Sequence, residues 1–411
     1  MENKVLVFSD CYIYGGSERL MSFLLRNDLL RSEYELSFAF RKHEAYYKGM
    51  QKDFSNVEAT TIPVTLLSND TLFFNFKRQV QSRYLVLLLK VPFLILYYSG
   101  IYSLFNSVVL IRLLLSVQPD ILHVNNGGFP AARTANLLVF ISRLLGVKRI
   151  VYQVNNQAQK PRAVDKFRNN LLGKLVSRFV TSSKMAKASL VTNVKIKEDR
   201  VSLIRNIVKL DPPLLSREVV LKDLNLKDDT FIMVQVAFLT KRKGQINLLR
   251  SISELKRNAF LDRDICLLLI GDGEDRFELE QFCAENRLDE NVRFLGYQSN
   301  YPEYINAADI VVLPSIMNED LPLVIIESLM LGKCILSTSL AGISEVIVNR
   351  HNGILISPDL SSIERALSYE IRWLMENPQE IRRIGQNALI ESAIFSDKVY
   401  GETLNRVYKG C

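Results

Sequence analysis

The chain is predicted to be α/β, with two doubly wound parallel-sheet domains, on three observations. Short apolar runs recur along its 411 residues, apolar on both faces as buried parallel strands are. Amphipathic segments of helical period stand between them, the alternation of strand–helix–strand units. A polar, proline-containing stretch from Arg205 to Asp229, with Pro212-Pro213, then separates two sets of runs. Length agrees, because a chain of this size suggests two or three domains.

Taken in order, Lys4–Ser9 reads as the first strand and leads through Gly15-Gly16 into the amphipathic Glu18–Leu30. Ile121–Asn125, Ile150–Val154 and Phe179–Thr181 continue the first sheet. Beyond the seam, Phe231–Val236 opens the second sheet, followed by Ile265–Gly271, Val292–Gly296, Ile310–Pro314 and Cys334–Thr338. Gly244–Lys256, Arg276–Asn286 and Ser361–Glu376 carry the helical period between or after them. The expected division is 1–205, 206–390, and a C-terminal helix at 391–411 that returns to the first domain.

Composition narrows the function. Five scattered cysteines without a CxxC, and only three histidines, argue for a reducing compartment and against a disulfide framework or a His-rich metal centre. The start, Met1 to Phe8, enters a strand pattern directly and has no signal-peptide layout, so a cytoplasmic protein is expected. Through Arg205 there are 29 Lys and Arg against 14 Asp and Glu, about +15, whereas the remainder is about −7. A strongly basic half implies an anionic partner. No nucleic-acid-binding signature accompanies it, so an anionic membrane surface is the expected partner of the first domain. The run Tyr84–Val117 bears on this, being long and apolar but broken at Lys90-Val91-Pro92 and Ser99-Gly100. It reads either as one or two buried helices or as an interfacial surface; the interruptions argue against a membrane span.

Four segments carry chemistry. Glu319 and Glu327 lie eight positions apart, the first in a strand-to-helix loop and the second inside the helix that follows. A helix starting at the carboxyl end of a strand presents free N–H groups to an anion. Lys241-Arg242-Lys243-Gly244 puts three cations between a buried strand and a helix, a ready phosphate site. Gly271-Asp272-Gly273 and Gly15-Gly16 let a ligand approach backbone closely.

Together these residues resemble the retaining family 4 glycosyltransferases, most strongly from Phe231 to Gly353. Glu319 and Glu327 match the family's E-x7-E element, Lys243-Gly244 its phosphate-lysine turn and Gly271-Asp272-Gly273 its nucleotide-adjacent loop. The resemblance implies a GT-B fold, two facing Rossmann-like domains with a deep interdomain cleft. It implies that Glu327 binds the donor ribose, that Glu319 contacts the donor sugar, and that Leu321, Leu323 and Val324 lie near the diphosphate. Lys243 would neutralise the leaving diphosphate, with Arg242 or Lys241 as second cation in place of a family arginine where this chain has Phe238. Asp272 and the flanking Gly271 and Gly273, with Gly15 and Gly16, complete the donor contacts.

On the acceptor side the resemblance implies His123 as a catalytic histidine. Asn125 and Asn126 would contact acceptor, Asn125 standing where the family has a second histidine, and Arg205-Asn206 is similar to the family's hinge element. No metal and no cofactor are expected. The implied activity is transfer of a hexose from a nucleoside diphosphate sugar, a UDP-sugar, to a lipid-linked glycan in bacterial surface polysaccharide assembly, on the inner face of the plasma membrane. The alternatives are a synthase acting on a soluble acceptor, or an inactive nucleotide-sugar-binding protein.

Overall fold

The computed structural model describes residues 3–55, 57–68, 100–130, 133–162, 165–210, 214–257, 264–317 and 319–410. The part of the apolar run before Gly100, and the Pro212-Pro213 pair of the seam, lie outside the described residues. The chain forms two compact units, one of Met1–Thr181, Lys187–Ser202 and Gly401–Cys411, the other of Ser182–Ala186 and Leu203–Tyr400.

The first unit holds seven parallel strands: β1 (Asn3–Ser9), β2 (Tyr34–Arg41), β3 (Thr60–Val64), β4 (Ile121–Asn126), β5 (Arg149–Val154), β6 (Arg178–Thr181) and β7 (Val201–Leu203). Their order is β3-β2-β1-β4-β5-β6-β7. Strands β1, β4 and β5 are buried along nearly their whole length, as the apolar runs require. Strand β3 carries Pro63 and is an edge strand, the one place in a sheet where a missing N–H is tolerated. Helices α1 (Gly16–Leu25), α2 (Asp28–Glu33) and α3 (Glu44–Phe54) belong to the β1–β3 half. Helices α4 (Ile101–Val117), α5 (Arg133–Leu144) and α6 (Lys166–Leu175) pack side by side and share a core with β1, β4, β5 and β6. Helix α7 (Lys184–Asn193) follows β6.

After α8 (Arg217–Asp223), the second unit has six parallel strands, β8 (Phe231–Val236), β9 (Ile265–Ile270), β10 (Val292–Gly296), β11 (Ile310–Leu313), β12 (Cys334–Thr338) and β13 (Ile354–Ile356). They are ordered β10-β9-β8-β11-β12-β13. Helices α9 (Gln245–Arg257), α10 (Arg276–Glu285), α11 (Tyr301–Ala307), α12 (Leu323–Met330), α13 (Ile343–Val346), α14 (Ile363–Glu376) and α15 (Pro378–Glu391) follow the strands, and α16 (Asp397–Lys409) closes the chain. In both sheets the strand order reverses once, between β1 and β4 and between β8 and β11. Ligands of open α/β sheets bind at that reversal, outside the carboxyl ends of the strands. The loops that matter are therefore those after β1 and β4, and those after β8 and β11. Among the described residues no helix is long and apolar enough to cross a membrane.

Candidate functional site

In the second unit the site is assembled from the two loops at the reversal. After β8 the chain makes a 3-10 turn, Lys241–Lys243, and Gly244 adopts φ +71° before α9 begins. A Cβ on Gly244 would lie 2.0 Å from the Pro314 carbonyl oxygen, so only glycine lets the turn press against the loop after β11. The turn is pinned on every side. Gln235 donates to the Lys243 carbonyl (3.0 Å), Gln245 to the Phe238 carbonyl (3.0 Å), and the Ile316 N–H to the Arg242 carbonyl (2.8 Å).

With its backbone fixed, the buried Lys243 reaches Glu319. One carboxylate oxygen, Glu319 Oε1, accepts from Lys243 Nζ, from Arg242 Nη1 (3.0 Å) and from Ser315 Oγ (3.2 Å). Burial pushes the Lys243 ammonium below its ordinary range; the Glu319 carboxylate opposes this and Arg242 reinforces it. Arg242, about one-third exposed, is the cation nearer solvent. Four residues on, α12 starts behind Pro322, and its first N–H groups have no partner within the helix. Asn206 donates to the Leu321 carbonyl (3.0 Å) and holds the approach to that helix end. The side chains of Leu321, Leu323 and Val324 are buried. Glu327, one turn further in and fully buried, accepts from Tyr301 Oη at 2.9 Å.

Asp320, beside Glu319, accepts from Ser182 (2.6 Å) and Ser183, and burial raises its carboxyl to about 6. The Gly271–Gly273 loop packs against the same turn. Gly271 has φ +136°, and a Cβ there would sit 2.0 Å from the Ala237 carbonyl oxygen. The Asp272 side chain is exposed and caps the Gly273 N–H at 2.8 Å.

The first unit's reversal is built from amides. Gly15 precedes α1 and Gly16 begins it; the Glu18 carboxylate turns back to accept the Gly15 N–H (3.2 Å), with Ser17 and Ser9 hydroxyls on the same group. Asn125 donates to the Ser17 carbonyl (3.2 Å) and to Glu18 Oε1 (3.4 Å), and its own oxygen accepts from Asn155 (2.7 Å). Gln153 donates to Asn155 Oδ1 (2.9 Å) and accepts from His123 Nε2 (3.0 Å), while His123 Nδ1 meets Tyr408 Oη at 2.8 Å. One chain of hydrogen bonds thus runs from Tyr408 in the last helix to the glycine turn. Acceptance by Gln153 fixes the Nε2–H tautomer, so Tyr408 donates to Nδ1. Burial lowers the His123 pKa to about 4, only partly offset by the bond to Gln153.

The predicted residues therefore divide. Arg242, Lys243 and Glu319 come together, four residues before α12, the helix that carries Glu327. His123 is fully buried in β4 with both ring nitrogens engaged. Asn125 and Asn126 likewise spend their amides internally, Asn126 on Tyr152 Oη (2.7 Å). The physical reason is that a polar side chain pointing into a fully buried strand must find partners there. Ser315, Tyr301 and Glu18 were not singled out from sequence. Ser315 stood one residue past a strand end, a position that could have flagged it. Tyr408 had no signal, lying 285 positions from His123.

Two Rossmann-like parallel sheets, each with its site residues at the strand reversal, define a GT-B enzyme. Residues 216–390 match the model of the glycosyl transferases group 1 and residues 62–212 that of glycosyltransferase family 4. The chain belongs to these glycosyltransferases. It is 25% identical over 288 residues to the UDP-Gal:alpha-D-GlcNAc-diphosphoundecaprenol alpha-1,3-galactosyltransferase of Escherichia coli, covering 67% of this chain and 73% of that one. It is also 25% identical over 276 residues to the N-acetylgalactosamine-N,N'-diacetylbacillosaminyl-diphospho-undecaprenol 4-alpha-N-acetylgalactosaminyltransferase of Campylobacter jejuni, covering 64% and 70%. Among solved structures, Anabaena HepE in complex with UDP and glucose aligns with a TM-score of 0.75 at 15% identity, over 100% of both chains, a likeness of fold.

Proposed function

We propose that the protein is a retaining glycosyltransferase that moves a hexose from a UDP-sugar to a lipid-linked glycan in bacterial surface polysaccharide assembly. The observation that carries this reading is the convergence of Lys243 and Arg242 on Glu319 at the β8/β11 reversal, beside the start of α12. Breaking the anomeric C–O bond leaves an electron pair on the diphosphate. Two cations and a helix N-terminus held in place stabilise that charge most when it is fully developed. The acceptor hydroxyl oxygen forms the new bond on the same face of the sugar, and its proton passes to the departing phosphate oxygen. Such a step needs no protein base, in keeping with the internal engagement of His123 and Asn125. Glu327 then takes the ribose hydroxyls and Glu319 the sugar.

The cations make a metal unnecessary in this scheme, so activity should survive EDTA. The lipid-linked acceptor is favoured by the two diphosphoundecaprenol-named relatives and by the basic first half, and it sets the reaction at the cytoplasmic face of the membrane. The test is transfer from UDP- and GDP-sugars to a diphosphoprenyl sugar in detergent, with product anomer read by NMR. Turnover with inversion, or nucleotide binding without transfer or donor hydrolysis, would remove the reading.

A further inference from the structure

We propose that Asp320 takes up a proton when a nucleoside diphosphate sugar binds, so that this second carboxyl sets donor affinity. The inference deepens the proposed function and rests on its donor site at the β8/β11 reversal. Two neighbouring carboxylates in the loop after β11 have unlike partners. Glu319 meets two cations, Lys243 and Arg242. Asp320, only 2% exposed, meets hydroxyls: Ser182 Oγ donates to one oxygen at 2.6 Å and Ser183 Oγ to the other. Both serines group with the second unit. The Ser183 hydroxyl also accepts the Ala186 N–H (2.9 Å), so its own proton is committed to Asp320. Gly342 packs against the same place, where a Cβ would lie 2.9 Å from both the Asp320 carbonyl oxygen and Ser183 Cβ.

The charges that bear most on Asp320 are acidic. Glu319 adjoins it in the chain, and Glu345 of α13 is held by the N–H groups of Lys184 and Met185, each at 3.0 Å. On α7 the Lys184 side chain is exposed. A buried carboxylate with hydroxyl partners and acidic neighbours holds its charge weakly. Burial raises its carboxyl to about 6, opposed by the two hydroxyls and reinforced by Glu345 and Glu319. A nucleoside diphosphate sugar then brings two further negative charges to this loop. With Asp320 ionised, Lys243, Arg242, Glu319 and Asp320 are together neutral; a proton on Asp320 leaves them net positive. Proton and donor therefore favour each other by the same factor. Bound donor raises the carboxyl further, so affinity grows as pH falls through the raised value and levels off below about pH 6. A rise of about one unit gives about tenfold in affinity between pH 8 and pH 5.

The test is calorimetric titration of the full chain with UDP-glucose, UDP-galactose and GDP-mannose, whose diphosphate diesters do not themselves titrate in this range. Wild-type affinity should rise about tenfold from pH 8 to pH 5. Titrations in two buffers of different ionisation enthalpy should show about half a proton taken up at about pH 6.5. Asp320→Asn is permanently neutral and should bind about tenfold tighter than wild type at pH 8, with no proton taken up. A residue with a merely structural role would not gain affinity on replacement. Ser182→Ala keeps the carboxyl but removes a hydroxyl that stabilises its charge, so the rise in affinity should move to higher pH. Glu345→Gln should retain the proton uptake. Uptake that persists in Asp320→Asn, or that is lost in Glu345→Gln, would overturn the proposal. Should Asp320→Asn not fold, an unshifted profile in Ser182→Ala overturns it equally. Binding at one affinity across the whole pH range removes this inference alone, whereas no binding of any nucleotide sugar removes the donor reading and the inference with it.

Discussion

Replacing His123 with glutamine should change how stability depends on pH, by an amount the structure fixes. The imidazole is neutral and buried, with its pKa lowered from 6.5 to about 4. In the unfolded chain it takes up a proton below about pH 6.5, and the folded chain refuses that proton until about pH 4. Its contribution is thus fully present above pH 6.5 and is lost as pH falls towards 4. The full shift is worth about 3 kcal/mol, and at pH 5 about 2 kcal/mol has gone relative to pH 7.5. Asp320 works in the opposite sense. Its carboxyl is raised from 3.8 to about 6, so the folded state holds the extra proton and gains about 1 kcal/mol by pH 5. The wild-type profile therefore conceals much of the histidine effect, and the difference between proteins is the quantity to measure. Glutamine can accept from Tyr408 and donate to Gln153 but cannot titrate. Urea unfolding of wild type and His123→Gln at pH 7.5 and pH 5 should give a stability gap that moves by about 2 kcal/mol in the variant's favour at the lower pH. A gap that stays constant to within about 0.5 kcal/mol would refute the buried, neutral assignment.

Three further outcomes are expected. Lys243→Ala should cut kcat by about 10²-fold or more, with Lys243→Arg recovering part of it, as measured by donor turnover. Tyr301→Phe removes a hydrogen bond to the buried Glu327 carboxylate and should weaken UDP binding about tenfold by calorimetric titration, with kcat less affected. Gly271→Ala forces a Cβ into the Ala237 carbonyl at an unfavourable φ and should destabilise the second unit by about 2 kcal/mol or more, seen as an earlier calorimetric transition.

What could be read in advance follows from how far each interaction reaches along the chain. Buried strands such as Ile265–Ile270 announce themselves as apolar runs. Strand β3 does not, because its Thr60-Thr61-Ile62-Pro63-Val64 is half polar and edge-paired, while β7 and β13 are three residues each and carry too little pattern. The Lys243 turn and the Glu319 loop were legible because each is a local strand-to-helix junction with charges in fixed places. That Lys243 and Arg242 would meet on a single oxygen of Glu319 was not, since it depends on the β8–β11 pairing. The surroundings of His123 were not legible for the same reason: its partner Tyr408 arrives from the last helix, and nothing near His123 in the chain advertises a buried hydroxyl.

The two reversals solve different electrostatic problems, and the contrast favours the proposed direction of chemistry. In the second unit a buried lysine and a partly exposed arginine both meet one buried carboxylate, an arrangement that is costly to bury and brings little net stability. In the first unit Asn125, Asn126, Asn155 and Gln153 are neutral amides whose hydrogen bonds are made within the unit, beside the Glu18 carboxylate. Cations therefore gather on a carboxylate at one reversal, whereas at the other amides gather around the Glu18 carboxylate. A reaction that expels a diphosphate develops its charge at the leaving group, whereas the incoming hydroxyl is neutral until it bonds. The cation pair belongs where the leaving group sits, and a rigid amide framework suffices to shape the edge that receives the hydroxyl. If the second unit instead bound the acceptor and the first the nucleotide, this distribution of charge would run against the energetics of the step.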